Sequence, residues 1–362
     1  MEKSNLRGGG VSTLFFLAWI LGFIPSCGDN QPAVQSQSDK KAPISVKIKK
    51  QESEIKLPNY YTLLESSPGN IGPSFSLDDK LIAFTSYTTA LQEGIYSPRN
   101  YVINADGSGK IKLPIHSPKI VFGQDKIYSM GGRAISEAQY SDGKLGKPKL
   151  ITPVGESWSD VNVSCTGKPL TVRYKTEQGE QPDVAGIYLD GKRVAYGIEP
   201  DISCNGSQVI TYIGDNYQVF TQKLDGGPVQ VSNSNARYSS PRWVPDGKYK
   251  GNIIAIKNTN FKDIVDNKAE KWNRDLVMID PATNVETQLT KDGYYKQGLD
   301  VSSDGSTIVL DVGGAIATFN LQKYGGSSSY NHKDQSILER DVDALYRQQR
   351  VRVGAYNSMM RK

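Results

Sequence analysis

Few side chains in this sequence are suited to acid–base or metal chemistry. Its 362 residues include only two histidines and three cysteines, too few to favour zinc sites or histidine-based catalysis. No Gly-x-Ser-x-Gly elbow, phosphate-binding loop or His-Glu-x-x-His motif occurs in it. The sequence therefore predicts neither an enzyme nor a cofactor. A carboxylate pair of the kind used in glycoside hydrolysis remains the open alternative.

One set of six polar residues recurs at a fixed place. Each stands four positions before the turn residue of a repeated segment, and the residue that follows it is always apolar. The six are Ser74, Lys119, Asn162, Asp201, Arg242 and Asp300. Two cations and two anions predict mutual pairing, because buried charges are normally partnered. In the alternative, Asp201 and Asp300 hold a metal ion with water ligands.

Two of the three cysteines also occupy equivalent positions. Cys165 and Cys204 each stand one residue before the turn residue of adjacent repeats. An oxidising compartment permits a disulfide if their Cα atoms lie within about 7 Å. The bond would be structural, and the sequence leaves open whether it forms.

These residues belong to a strand–turn–strand segment that occurs six times. Clear copies are residues 73–85, 241–248 and 299–310, and weaker copies begin at Pro118, Val161 and Pro200. A period of about 40 residues built from short strands is typical of propeller blades. Asp-Gly and Asn-Gly pairs supply the positive φ of tight hairpins. The repeats therefore predict six blades whose first strands line a central channel.

The sixth repeat lacks an outer strand, while the first is preceded by one. Residues 307–312 and 315–321 are followed by glycine and serine, and residues 60–65 precede the first repeat as residues 229–231 precede the fifth. We expect residues 60–65 to complete the sixth blade, which removes an open edge. The predicted fold is an all-β six-bladed β-propeller closed by its N-terminal strand, with a short C-terminal helix.

The repeat Pro-x-Phe-Ser-x-Asp-x-Lys-x-Ile-Ala-Phe resembles that of the TolB-like six-bladed β-propellers of bacterial periplasms. The resemblance covers about residues 60–324 and is strongest in the first, fifth and sixth repeats. No N-terminal α/β domain like that of TolB fits in the preceding segment, so the resemblance does not imply the role of TolB itself.

The N-terminus has the pattern of an export signal. A basic start precedes the apolar run 11–24, which is too short to span a membrane comfortably. An aliphatic–variable–small–cysteine sequence then ends at Cys27 and resembles a bacterial lipobox. The resemblance implies cleavage after Ser26 and a lipoprotein anchored by acyl chains such as palmitate on Cys27. Since Gly28 replaces a retaining aspartate, an outer-membrane address facing the periplasm is favoured. An ordinary signal peptide with an incidental cysteine is the alternative.

The chain therefore divides into four predicted parts. They are a signal peptide (1–26), a polar tether (27–57), the propeller (58–324), and a Ser/Gly hinge with a C-terminal helix (325–362). In the last part Ser336 and Glu339 form a capping box. The apolar stripe of that helix predicts docking on the propeller, or alternatively a tail that binds a partner or faces the membrane.

The connection between second and third strands is long in alternate blades, at residues 88–100, 176–183 and 259–274. Long loops on a rigid scaffold commonly carry function. Aromatic and arginine side chains, the usual anchors of protein interfaces, are expected on that face. They are Tyr96, Trp158, Arg237, Tyr238, Phe261, Trp272, Tyr294 and Tyr295. In the alternative they pack the bases of the loops.

Composition and charge narrow the function further. A formal charge of +5 is too small, and too evenly spread, to indicate nucleic acid. The preferred hypothesis is a lipid-anchored extracytoplasmic propeller that binds an envelope protein or peptide, as a scaffold or assembly factor. The alternative is a propeller enzyme or carbohydrate-binding module that acts on an envelope polymer at the channel mouth.

Overall fold

The computed structural model describes residues 57–67, 69–87, 98–131, 134–154, 156–164, 167–174, 185–203, 208–232, 235–259 and 273–323. Within these ranges the chain forms twenty-five strands and one short 3-10 turn, Asp215–Tyr217. None of the described segments forms a helix long and apolar enough to cross a membrane. The predicted signal peptide, tether and C-terminal helix lie outside the described residues, as do Cys27, Cys165 and Cys204.

The strands assemble into six antiparallel sheets, which we number as blades I to VI. Blade I contains β2 (Asn70–Phe75), β3 (Leu81–Ser86), β4 (Arg99–Asn104) and β5 (Ile111–Lys112). Blade II contains β6 (Lys119–Phe122), β7 (Lys126–Gly131), β8 (Ala134–Ser141), β9 (Lys144–Leu145) and β10 (Lys149–Leu150). Blade III contains β11 (Ser157–Val163), β12 (Pro169–Tyr174), β13 (Gly186–Leu189) and β14 (Lys192–Tyr196).

The second half of the chain repeats this order. Blade IV contains β15 (Ile198–Ile202), β16 (Val209–Ile213), β17 (Val219–Lys223) and β18 (Pro228–Gln230). Blade V contains β19 (Arg237–Trp243), β20 (Ile253–Asn258), β21 (Arg274–Asp280) and β22 (Val285–Gln288). Blade VI contains β23 (Leu299–Val301), β24 (Thr307–Val312), β25 (Ala315–Asn320) and, outermost, β1 (Tyr61–Glu65). The predicted six-bladed all-β propeller is therefore confirmed.

The predicted ring closure is also confirmed. The N-terminal strand β1 pairs with β25, with Tyr61 opposite Phe319 and Leu63 opposite Ala317. The observed strand begins one residue later than the predicted one. Because the first strand of the domain lies in the last blade, the β25 edge is paired and the ring has no seam held by side chains alone.

Six buried apolar clusters lie one at each contact between neighbouring blades. Alternate residues of a middle strand belong to different clusters because successive side chains point to opposite faces of the sheet. In β24, Ile308 and Leu310 pack toward blade V, whereas Val309 packs toward blade I. This double burial explains why the second strand of each repeat is apolar on both faces.

Candidate functional site

The inner strands bend at a common level around the channel. The pairing of β2, β11, β15 and β19 with their neighbours shifts in register in the middle of each strand. Three equivalent residues there have positive φ: Gly72 at 57°, Glu199 at 53° and Ser240 at 51°. Glycine adopts this conformation freely, but glutamate and serine are strained in it. The Ser240 backbone N–H donates to Glu199 Oε2 and holds the strained pair together.

The polar ring connects each blade to the next. Every one of its six residues contacts the inner strand of the following blade. In chain order the contacts are Ser74 Oγ with Phe122 N (3.4 Å), Lys119 Nζ with Asp160 Oδ1 (2.6 Å), Asn162 Nδ2 with Pro200 O (2.9 Å), Asp201 Oδ2 with Trp243 N (2.7 Å), Arg242 Nε with Asp300 Oδ1 (3.9 Å), and Asp300 Oδ2 with Phe75 N (2.8 Å). The contacts run around the whole ring in one direction, so these side chains join the blades.

The charges of this ring pair differently from the expectation of pairing within the set. Only Arg242 and Asp300 lie close together, and Lys119 pairs instead with Asp160, which the repeat register did not include. Asp201 and Asp300 use oxygen atoms to accept backbone N–H groups. Among the described residues no group of three or more His, Cys, Asp or Glu could hold a metal ion.

Burial dominates the electrostatics of the channel. It raises the pKa of the Asp201 carboxyl to about 6, although the nearby Arg242 acts in the opposite direction. Burial also raises the pKa values of Glu199 and Asp300. Arg242 is itself buried, and its Nε finds no hydrogen-bond partner in the described part of the chain. The channel wall is thus polar but tightly packed.

A second level of contacts lies at the junction of blades VI and I. Asp311 Oδ1 accepts Gln297 N (2.6 Å), and its Oδ2 accepts Gly298 N (2.9 Å) and Gly72 N (3.3 Å). A Cβ on Gly298 would lie 2.8 Å from Gly72 Cα, so the two backbones can approach this closely only with glycine. Burial raises the pKa of Asp311 to about 7.

We expect the free energy of unfolding to decrease between about pH 4 and pH 7. Folding raises the pKa values of Asp201 and Asp311 above the unfolded value near 4, so their contribution is full below about pH 4 and is lost as the pH rises through 6 and 7. Carboxyls with lowered pKa values, such as Asp78, change their contribution only at more acidic pH. Urea unfolding at half-unit pH steps measures the slope, with both histidines replaced by Gln to remove their titration. Stability that rises across this window would contradict the assignment.

The strand bounds agree with the predicted alternation of long and short connections. Long connections join Ser86 to Arg99, Tyr174 to Gly186 and Asn258 to Arg274, in blades I, III and V. In blades II and VI the corresponding strands are almost contiguous. We call the end of the propeller that carries these connections the loop-bearing face. Three long connections therefore alternate with short ones around one end of the channel.

The aromatic residues predicted for this face occupy two environments. Trp158, Tyr238 and Tyr294 are buried, as in the alternative in which these side chains pack the bases of the loops. The Trp158 ring packs against Tyr188 at 5.3 Å, and Tyr238 donates a hydrogen bond to Glu286 (2.6 Å). These buried side chains pack beneath the loop-bearing face. Tyr96, Phe261 and Trp272 lie outside the described residues.

Arg237 and Tyr295 are half-buried and stacked. The Arg237 guanidinium lies 4.2 Å from the Tyr217 ring, and Arg274 lies 4.3 Å from the Tyr295 ring. Stacking on an aromatic ring holds each planar guanidinium in place. The two pairs form a rigid cationic and aromatic border on blade V and its neighbours.

Sequence reasoning missed three arginines at the bases of the long connections. Arg99 and Arg274 are the first residues of β4 and β21, and Arg173 lies next to the end of β12. Arg99 Nη1 lies 2.9 Å from the His116 ring nitrogens, and Arg173 Nη1 donates to Glu156 (2.7 Å). The sequence does place an arginine at the boundary of each long connection, and that pattern could have identified these residues.

No protein-family profile matches this chain, and no curated protein sequence matches it. Solved structures with the same fold include TolB from Acinetobacter baumannii, with 14% identity and a TM-score of 0.48 over 67% of this chain and 64% of TolB. The calcium-binding protein regucalcin from Agrobacterium tumefaciens matches with 12% identity and a TM-score of 0.50, over 71% and 92% of the two chains. A puromycin hydrolase matches with 15% identity and a TM-score of 0.43, over 68% and 44%.

The chain thus spans less than two thirds of the length of TolB and less than half of the hydrolase. At these identities the likeness is one of fold alone. The six-bladed propeller that the repeats indicated is confirmed by the strand order of the structure itself.

Proposed function

We propose that this chain is a binding module, not an enzyme, and that its loop-bearing face binds an envelope protein or peptide. The observation that carries the proposal is the alternation of three long connections around one end of the channel, each bordered by an arginine. Arginine and aromatic side chains are enriched where protein interfaces derive most of their binding energy. A scaffold or assembly factor needs such a surface on a rigid support.

The channel favours binding over catalysis for a physical reason. Oxygen atoms of Asp201 and Asp300 already accept backbone N–H groups of the next blade. The Lys119 ammonium is likewise engaged by Asp160. Groups that join blades are poorly placed to exchange protons with a substrate without loosening the ring. The channel ring is therefore the support, and the loop-bearing face is the proposed binding surface.

The proposed location is the cell envelope, with the chain anchored by lipid on Cys27 and the propeller facing the periplasm. The lipobox resemblance supports this address.

Co-purification from native membranes, after mild cross-linking, tests the proposed location of the chain and its proposed partner together. We expect the unchanged chain to capture an envelope protein in stoichiometric amount. The Arg237→Ala/Tyr295→Ala variant should capture at least about tenfold less of it, since truncating interface anchors commonly lowers binding affinity by this much. Lys248→Ala, an exposed cation at a turn on the opposite end of blade V, is the matched control. Capture of an envelope glycan that depends on Asp201 or Asp300 would contradict the proposal and support the carbohydrate-binding alternative.

A further inference from the structure

The outer strands of the six blades differ sharply in charge. The outer strands of blades I to III carry cations and no carboxylate, whereas that of blade IV is uncharged and those of blades V and VI carry one carboxylate each and no cation. The cations are Lys112, Lys144, Lys149, Lys192 and Arg193, and the carboxylates are Glu286 and Glu65. Lys147 lies between β9 and β10 and adds a further exposed cation. We call these six cations the basic edge.

Within the described residues the cations of the basic edge have no carboxylate partners. Some exposed lysines elsewhere are paired, such as Lys80 with Asp78 (3.0 Å) and Lys168 with Asp190 (2.6 Å). No carboxylate in the described ranges forms an ion pair with a member of the basic edge. Unpaired like charges on one side of a domain produce a positive potential that attracts anionic surfaces.

Each basic outer strand also exposes one large apolar side chain. Ile111 is 38% exposed, Leu150 50% and Tyr196 48%, and the Arg193 guanidinium lies 4.4 Å from the Tyr196 ring. The other blades expose Leu63, Val229 and Val285, so apolar exposure alone favours no side. Cations interspersed with exposed apolar side chains are typical of surfaces that adsorb to anionic bilayers.

The basic edge of blades I and II lies near the entry of the chain into the propeller. A Cβ on Gly143 of blade II would lie 2.9 Å from Ile111 Cδ1 of blade I, so the outer surfaces of these blades touch. The first strand, β1, adjoins blade I through Lys110, whose Nζ lies 2.8 Å from a Glu65 oxygen. The proposed lipid anchor on Cys27 precedes this strand in the chain.

We propose that the basic edge docks on the anionic lipid surface of the membrane that holds the chain. The propeller then lies on its side, with the channel axis along the membrane plane and the loop-bearing face open to a partner. The proposed lipid anchor would bring the basic edge close to the bilayer, but the affinity of the basic edge for anionic headgroups does not require that lipid.

Vesicle co-sedimentation tests this with the chain from residue 28 onward, which lacks the anchor and retains all twenty-five described strands. The probes are vesicles of phosphatidylcholine alone and of phosphatidylcholine with about 30% phosphatidylglycerol. The edge variant is Lys112→Glu/Lys147→Glu/Lys149→Glu. The control variant, Lys223→Glu/Lys248→Glu/Lys323→Glu, changes three exposed lysines of blades IV to VI and has the same net charge.

We expect the unchanged chain to prefer the anionic vesicles and the edge variant to lose roughly a hundredfold in partitioning, because each of its three surface lysines contributes roughly fivefold. The control variant should lose only a few-fold. Equal losses in both variants, or equal binding of the unchanged chain to both vesicle types, would overturn the proposal. Circular dichroism confirms that each variant is folded. The Arg237→Ala/Tyr295→Ala variant should bind vesicles normally, so failure here is distinguishable from failure of the proposed function.

Discussion

Replacing Lys296 by Met is expected to lower the free energy of unfolding by about 3–5 kcal/mol, because it leaves the buried Asp292 carboxylate without its cation. Lys296 and Asp292 are both fully buried in the connection between blades V and VI. Methionine has a similar length and apolar stem, so packing is largely retained. The loss of stability therefore measures the effect of removing the Lys296 charge. Burying the Asp292 carboxylate without a cation costs more free energy than the apolar contacts of the Met side chain restore.

The surroundings of the pair show why it cannot simply move to solvent. Lys296 Nζ donates to Arg274 O (2.8 Å) and contacts Tyr294 O at 3.3 Å, in addition to Asp292 Oδ1. Asp292 Oδ2 accepts hydrogen bonds from the Tyr60 and Tyr61 hydroxyls, at 3.0 and 2.7 Å. Four groups from three segments thus converge on one ion pair, and losing the cation leaves the others around an uncompensated anion.

Urea unfolding monitored by tryptophan fluorescence measures the effect. The matched control is Lys250→Met, since Lys250 pairs with Asp246 at the same sequence spacing but on the surface. We expect little change there, because solvent screens exposed pairs. The double variant Lys296→Met/Asp292→Asn should recover part of the loss, since the neutral amide oxygen still accepts from tyrosine. Equal effects of Lys296→Met and Lys250→Met would contradict the role assigned to the buried pair.

The sequence predicts the blades well because the information for each blade is local. Alternating apolar residues and an Asp-containing turn lie within a dozen residues in the segment around Asp78, and Asp304 marks the same turn in the last repeat. Ring closure could be inferred as well, because the missing outer strand and the extra N-terminal strand are both visible in the order of the repeats.

The contacts between blades were less predictable. Lys119 pairs with Asp160, forty-one residues away in the next blade, and no local pattern distinguishes this aspartate from a solvated one. Lys296 lies in a polar stretch that is typical of exposed loops, and only the approach of Arg274 and Asp292 makes it a buried residue. Trp158 is buried because Tyr188, from another strand of its own blade, covers it. Burial of this kind depends on how neighbouring strands and blades meet, which the repeat register leaves undetermined.

Replacing Tyr61 by Ala should destabilise the propeller by about 3–5 kcal/mol, as other buried aromatic truncations do. Tyr61 is the first residue of the closing strand and only 7% exposed. Its ring lies 4.7 Å from that of Tyr60 and 6.1 Å from that of Phe319 on the partner strand. Removing the ring leaves a cavity where blade VI closes on blade V, and it also removes a donor to Asp292.

Two variants separate the packing from the hydrogen bond. Tyr61→Phe keeps the ring and removes the hydroxyl, so a loss of about 1.5–3 kcal/mol is expected for a bond to a charged group. Thr62→Ala changes an exposed neighbour on the same strand and should have little effect. Urea unfolding gives the three energies, and hydrogen exchange of the β25 amides shows whether the closing edge opens first.

In Tyr61→Ala we expect the β25 amides to exchange faster than those of the middle strands of blade III, because local opening at the seam requires less energy than global unfolding. Uniform acceleration in all blades would mean that β1 contributes only general packing. Faster exchange confined to β25 and its neighbours would mean that the pairing of β1 with β25 is what keeps this edge of the ring closed.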